Sequence, residues 1–202
     1  ANKNFTISYE TNIPRQVGLG GSSAIITATL KAVMQFYGLT DREIPKETQP
    51  NLVLNVETEE LEIDAGPQDR VIQVYGSINF MDFSKDLMTS QGYGNYQYLD
   101  SSLIPNLFLA YLSQPADSGK VHSNLKYRYQ QNDQLVVKAM KTFAQYASQC
   151  KEALSHQDVD QVSHLMDQNF DLRHQICELP ANHVEMVQRA REAGASAKFA
   201  GS

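Results

Sequence analysis

Near the start of the chain Phe5, Ile7 and Tyr9 are separated by Thr6 and Ser8, the period of a half-buried strand, which Asn12 to Pro14 then end. The pattern changes after a glycine-rich stretch. From Ser22 the run S-S-A-I-I-T-A-T-L-K-A-V-M-Q-F-Y-G opens on serines and meets Gly38 past its last apolar residue, predicting a capped and largely buried helix. A second helix is expected near Pro50, carrying Val53, Leu54, Val56, Glu57 and Leu61 until I-D-A-G-P breaks it.

Beyond Gly66-Pro67 the segment Q-D-R-V-I-Q-V-Y reads as a short helix and S-I-N-F-M-D-F as a strand. The apolar run N-L-F-L-A-Y-L, residues 106 to 112 between Pro105 and Pro115, reads as a buried strand. From Leu135 the spacing turns helical: Val136, Met140, Phe143, Ala147 and Leu154 mark one helix, and Val162, Leu165, Met166 and Phe170 the next. A third, Asn182 to Ala193, stops at Gly194. Strand-like segments followed by helices define an α+β fold, with a boundary expected between residues 115 and 130.

Composition narrows the function classes. With 42% hydrophobic and 20% charged residues the chain is an ordinary globular one rather than a disordered one. A formal charge of −6 without a dense basic face argues against nucleic acid as a partner. No apolar run is long enough to span a membrane, and A-N-K-N-F-T has no signal-peptide core, so a soluble protein is expected. Cys150 and Cys177, in helical segments without C-x-x-C spacing, read as small hydrophobes of a reducing compartment. The sequence lacks an initiator Met and stops in a glycine-rich stretch, as a fragment would.

The stretch Pro14 to Ala24, P-R-Q-V-G-L-G-G-S-S-A, sets three glycines and two hydroxyls against a helix N-terminus. Free amides and partial positive charge there suit a phosphate, and a serine hydroxyl could reach Mg²⁺; a tight strand-to-helix turn fits the same residues. It is not a Walker A loop, because no Lys follows the last glycine. The string resembles the ATP-binding signature of the GHMP kinases, P-x-x-x-G-L-G-S-S-A, with Gly21 in place of a serine and the next two serines kept. The resemblance implies a GHMP fold, with an N-terminal part like domain 2 of ribosomal protein S5 over residues 1–115 and a helix-rich α+β C-terminal part over 116–202. It also implies that Pro14, Gly18, Leu19, Gly20, Gly21, Ser22, Ser23 and Ala24 bind ATP.

Phosphoryl transfer to a hydroxyl calls for carboxylates that hold metal and accept a proton. Glu57 and Asp69 stand a dozen residues apart across the Gly-Pro break. On composition alone Glu57 reads as a solvated carboxylate beside Glu59, Glu60 and Glu62, and Asp69 could be a turn residue bonding its own backbone. The resemblance implies that Glu57, with Ser23, ligates Mg²⁺ and that Asp69 is the catalytic base. Arg70 follows that Asp where galactokinase-like members have Gln. D-S-G-K-V-H-S, residues 117–123, reads as a loop facing a polar ligand or solvent, with His122 a hydrogen-bonding or surface histidine. Asp171 and Arg173 form either a surface pair or a substrate contact. The tail G-A-S-A-K-F-A-G-S resembles the family's third, glycine-rich motif.

Within the family the strings A-G-P-Q-D-R-V-I-Q-V-Y-G, M-D-F-S-K and D-S-G-K-V-H-S look most like the glucuronokinase branch. That implies a cytoplasmic sugar 1-kinase using ATP and Mg²⁺ on D-glucuronate, with Arg15, Arg70, Lys120 and Arg173 as candidate partners of the sugar carboxylate. A heptose- or galactose-type sugar kinase and a catalytically silent sugar- or nucleotide-sensing module are the alternatives.

Overall fold

The computed structural model describes residues 3–15, 17–112 and 119–200, with the backbone alone for 119–123. The described residues fall into two compact units, one running to Leu99 and the other holding Asp100–Tyr111 and the chain from Gly119 to Ala200.

Three helices build the first unit. Helix α1 (Gly21–Tyr37) ends where Gly38 adopts φ 67°, its N–H donating to the Gln35 carbonyl and the following Leu39 N–H to that of Met34, a left-handed stop that suits glycine. Helix α2 (Gln49–Asn55) carries Pro50 in its first turn, where the missing N–H costs nothing. It continues into a widened π turn, Val56–Glu60, in which Leu61 N–H reaches back to the Val56 carbonyl at 3.0 Å. Helix α3 (Gln68–Tyr75) packs against both α1 and α2, and Met34, Val53, Val71 and Val74 from the three form the buried core. Burying each of these side chains contributes roughly 1.5–3 kcal/mol.

An antiparallel hairpin completes the unit. Strands β1 (Ile78–Asp82) and β2 (Asn95–Leu99) pair Ile78 with Leu99 and Asp82 with Asn95, joined through helix α4 (Lys85–Gln91). Gly94, buried at the entry to β2, leaves no room for a side chain, since a Cβ would lie 2.5 Å from the Asp82 carbonyl oxygen.

The second unit is helical: α5 (Gly119–Gln130), α6 (Gln134–Ser155), α7 (Val159–Ile176) and α8 (Ala181–Glu192). The pair α6–α7 forms its centre, burying Val136, Ala139, Ala153, Val162, Leu165, Phe170 and Ile176. Asp133 and Asp158 cap the two helices by accepting from Leu135 N–H and Gln161 N–H, both at 3.0 Å. Among the described residues no helix is long and apolar enough to cross a membrane.

The predicted helices at 22–37, 50–61, 68–75, 135–154, 162–170 and 182–193 and the strand at 78–82 are present, and a helix-rich chain with a small sheet results. Four expectations are corrected. The run Phe5–Tyr9 forms no strand: Tyr9 is 62% exposed and Phe5 instead packs its ring 5.2 Å from that of Phe36. Residues 106–112 form no strand and are neither paired nor buried, with Phe108 95% exposed. In both cases a strand needs a neighbour for its backbone groups, and among the described residues the only ladder is β1–β2. Of the expected loop at 117–123, residues 117 and 118 lie outside the described residues and 119–123 open helix α5, whose Leu125 packs on the core around Ala139 and Ile176. Finally, Asp171 pairs with Arg191 at 2.8 Å rather than with Arg173, which is half-buried under the Phe199 ring.

Candidate functional site

The glycine loop enters α1 through two left-handed residues, Gly18 at φ 74° and Gly20 at φ 64°, conformations that a side chain disfavours. Gly21 differs. It is helical, and a Cβ there would meet only Ile13 Cγ2, at an ordinary 3.6 Å, so the departure from the family's serine is sterically neutral. The serines do not cap α1 as expected: its N-cap is Gly20, with no side-chain acceptor for the first-turn amides. Those amides and the positive end of a 17-residue helix face the loop, the arrangement that favours a bound anion.

The serine hydroxyls are engaged elsewhere. Ser22 Oγ donates to Glu57 Oε1, and Ser23 Oγ, fully buried, donates to the same oxygen at 3.3 Å. Glu57 has no solvent exposure at all, which sets aside its reading as a solvated carboxylate. The cause is helical register, because Glu57 follows the buried Val53 by four residues and shares its face. A buried carboxylate requires compensation, and besides the two hydroxyls Arg70 Nε donates to Glu57 Oε2.

Arg70 also faces inward by register, four residues before the buried Val74. Its Nη1 donates to the Gly66 carbonyl at 2.8 Å and lies 3.7 Å from Asp69 Oδ2. Asp69, at the first turn of α3 with its side chain 35% exposed, stands against the glycine loop, 3.6 Å from where a Cβ on Gly20 would sit. The structure therefore brings together Gly20, Ser22, Ser23, Glu57, Asp69 and Arg70. Pro14, Gly18, Leu19, Gly21 and Ala24 lie on the same loop and first turn.

Arg15 is exposed on the loop, and Lys120 lies in the first turn of α5, its side chain outside the described residues. Arg173 belongs to the second unit, where burial holds its guanidinium below the ordinary arginine value. Cys150 and Cys177 are free, and burial pushes both thiols up, as expected of small hydrophobes. A cavity of about 550 Å³ at the far end of α1, lined by Met34, Leu39 and Val74 with Lys31, Asp41 and Lys46, contains none of the cluster. What sequence reasoning missed is the inward turn of Arg70, for which the i, i+4 relation to Val74 was the available signal.

The donor set suits a hard divalent cation. One carboxylate and two hydroxyls are oxygen ligands of the kind Mg²⁺ takes, and Mg²⁺ draws its remaining ligands from phosphate and water. The formal charge of Glu57, Asp69 and Arg70 together is one minus, which a polyphosphate would tolerate only with a cation present.

Residues 1–77 match the family model of the GHMP kinases N terminal domain. Among curated relatives it is 48% identical to the probable glucuronokinase 2 of Arabidopsis thaliana, over 99% of this chain and 55% of that protein. It is 45% identical to glucuronokinase 1 of the same plant, over 98% of this chain and 55% of that protein. The D-glycero-alpha-D-manno-heptose 7-phosphate kinase of Campylobacter jejuni is 25% identical over 88% of this chain and 51% of its own length. The chain thus spans about half the length of the curated relatives it matches. No solved structure matches it.

Proposed function

We propose that the protein is a sugar 1-kinase that transfers the γ-phosphoryl group of ATP to the anomeric hydroxyl of D-glucuronate. The observation that carries this reading is the convergence of Glu57, Asp69 and the two serine hydroxyls on the N-terminus of α1. Similarity to two plant glucuronokinases supports the choice of sugar.

In this reading the loop amides and the N-terminus of α1 hold the phosphates. Glu57, with Ser22 and Ser23 beside it, would hold Mg²⁺, which when bound neutralises charge on the β- and γ-phosphates. Asp69, the exposed carboxylate of the pair, accepts the proton of the sugar hydroxyl as its oxygen takes the phosphoryl group and ADP departs. Arg70 rests on Glu57 and Gly66, and Arg15, exposed on the glycine loop, is the proposed partner of the sugar carboxylate in this unit. The S5-like topology of the N-terminal part, the assignment of 1–115 and 116–202 to the two family regions, and a cytoplasmic location all go with this reading.

The test is ADP release by the full-length gene product with Mg²⁺ and D-glucuronate, beside galactose, a heptose, mevalonate and homoserine. Turnover is expected on glucuronate and is expected to fall at least a hundredfold in Asp69→Asn, the lower end of general-base contributions of about 10²–10⁴. Unchanged turnover in that variant refutes the base assignment. Turnover on a heptose instead discards the substrate and keeps the kinase.

A further inference from the structure

One guanidinium serves both carboxylates of the site. Arg70 Nε donates to Glu57 Oε2, while Nη1 donates to Gly66 O at 2.8 Å and stands 3.7 Å from Asp69 Oδ2. The Glu57 side chain is 0% exposed, that of Arg70 8% and that of Asp69 35%. The Glu57 end of the arrangement is dry, and the Asp69 end is open.

A carboxylate so buried needs a counter-charge in the resting protein, and Arg70 provides it. The same carboxylate is the hardest donor in the cluster and the one a divalent cation would use. The serine hydroxyls stand on Oε1 and Arg70 on Oε2, and a metal ion and a guanidinium on the two oxygens of one buried carboxylate repel each other at low dielectric, so each weakens the other's hold on it. Arg70 has somewhere to remain: with Nε released, Nη1 still has the Gly66 carbonyl as acceptor and Asp69 as counter-charge.

We infer that Arg70 is the resting counter-ion of Glu57, a positioning residue that competes with the divalent cation for the Glu57 carboxylate and stays on Gly66 and Asp69 when Glu57 is given up. Loading of Glu57 and pairing of Arg70 with Asp69 are thereby coupled. The inference rests on Glu57 being the metal ligand of the proposed kinase.

Its test is Mn²⁺ binding by the full-length protein at saturating ADP, read from the electron paramagnetic resonance signal of free Mn²⁺, in wild type, Arg70→Lys, Glu57→Gln and the double variant. Lysine keeps the charge, and so the field, but cannot span Glu57, Gly66 and Asp69 at once. Arg70→Lys is expected to bind Mn²⁺ about tenfold more tightly than wild type, the scale of one charge-assisted hydrogen bond lost by the competitor. In the Glu57→Gln background the lysine substitution should change nothing. Binding in Arg70→Lys that is equal to or weaker than wild type, or the same gain in both backgrounds, overturns the inference while leaving the kinase reading intact. Wild-type affinity in Glu57→Gln removes the metal ligand itself, and the inference with it. A second readout uses the wild-type protein alone: hydrogen exchange of Arg70 Nε–H should accelerate when Mg²⁺ and ADP are added, and exchange that stays slow refutes the competition.

Discussion

Replacing Glu57 by Ala tests whether the site is built on a buried ion pair. The substitution removes the carboxylate that accepts from Ser22, Ser23 and Arg70, and it leaves the guanidinium, 8% exposed, with only the Gly66 carbonyl and a 3.7 Å approach to Asp69. Breaking a buried pair by removing one partner costs about 3–5 kcal/mol, because the surviving charge is stranded away from water. A surface pair such as Arg189–Glu185, with side chains 75% and 58% exposed, is worth about 0–1 kcal/mol, so the two situations are well separated. The double replacement Glu57→Leu with Arg70→Met should recover most of the loss, since packed apolar side chains replace a buried pair at little net cost. Native-state hydrogen exchange of the α1 and α3 amides measures the stability of this unit apart from the rest of the chain. A cost in Glu57→Ala below about 1 kcal/mol, or a double variant as unstable as the two single changes added together, would refute the buried-pair argument.

Gly20→Ala should destabilise by about 1–2 kcal/mol through its left-handed backbone and weaken nucleotide binding, whereas Gly21→Ser should stay within about 0.5 kcal/mol of wild type; urea unfolding and ADP titration measure both. Arg128, followed by the amides of Val136 and Leu135, holds the Asp133 carboxyl below its ordinary range. Its contribution is therefore present above that range and lost as pH falls through the folded value, so the gap in melting temperature between wild type and Asp133→Asn should close below about pH 4. Burial, with the Glu47 charge adding to it, pushes the Tyr75 phenol up to about 12. The stability this gives is complete below the unfolded value near 10 and lost as pH rises through the folded one, and an alkaline ultraviolet titration should lack that late step in Tyr75→Phe.

The inward-facing chemistry of the site was present in the sequence as helical register, a signal that the reading of Glu57 as solvated and the missed turn of Arg70 left unused. Val53 with Glu57, and Arg70 with Val74, stand at i and i+4, so once the apolar member of each pair is assigned to the core, the charged member must enter it too. Two buried opposite charges on neighbouring helices then have to meet. What register does not reveal is which hydroxyls join them. Ser22 and Ser23 read as caps because serine at a helix start usually turns back on its own amides, and only the position of the π turn on the facing helix shows that a carboxylate outbids those amides.

The strands behaved differently for a related reason. A helix satisfies its backbone groups within the segment, so a periodic run is close to sufficient for its existence, and the long apolar-periodic runs at 22–37, 135–154 and 162–170 are all helical. A strand satisfies them only against a second segment, and alternation states which face seeks burial without naming the partner. The run at 78–82 has its partner thirteen residues beyond its end, in β2, and is a strand. The runs at 5–9 and 106–112 carry equally apolar patterns, have no ladder among the described residues, and leave Tyr9 and Phe108 in water. The difference lies in the partner rather than in the run, which is why the helices of a chain such as this can be read one segment at a time and its strands cannot.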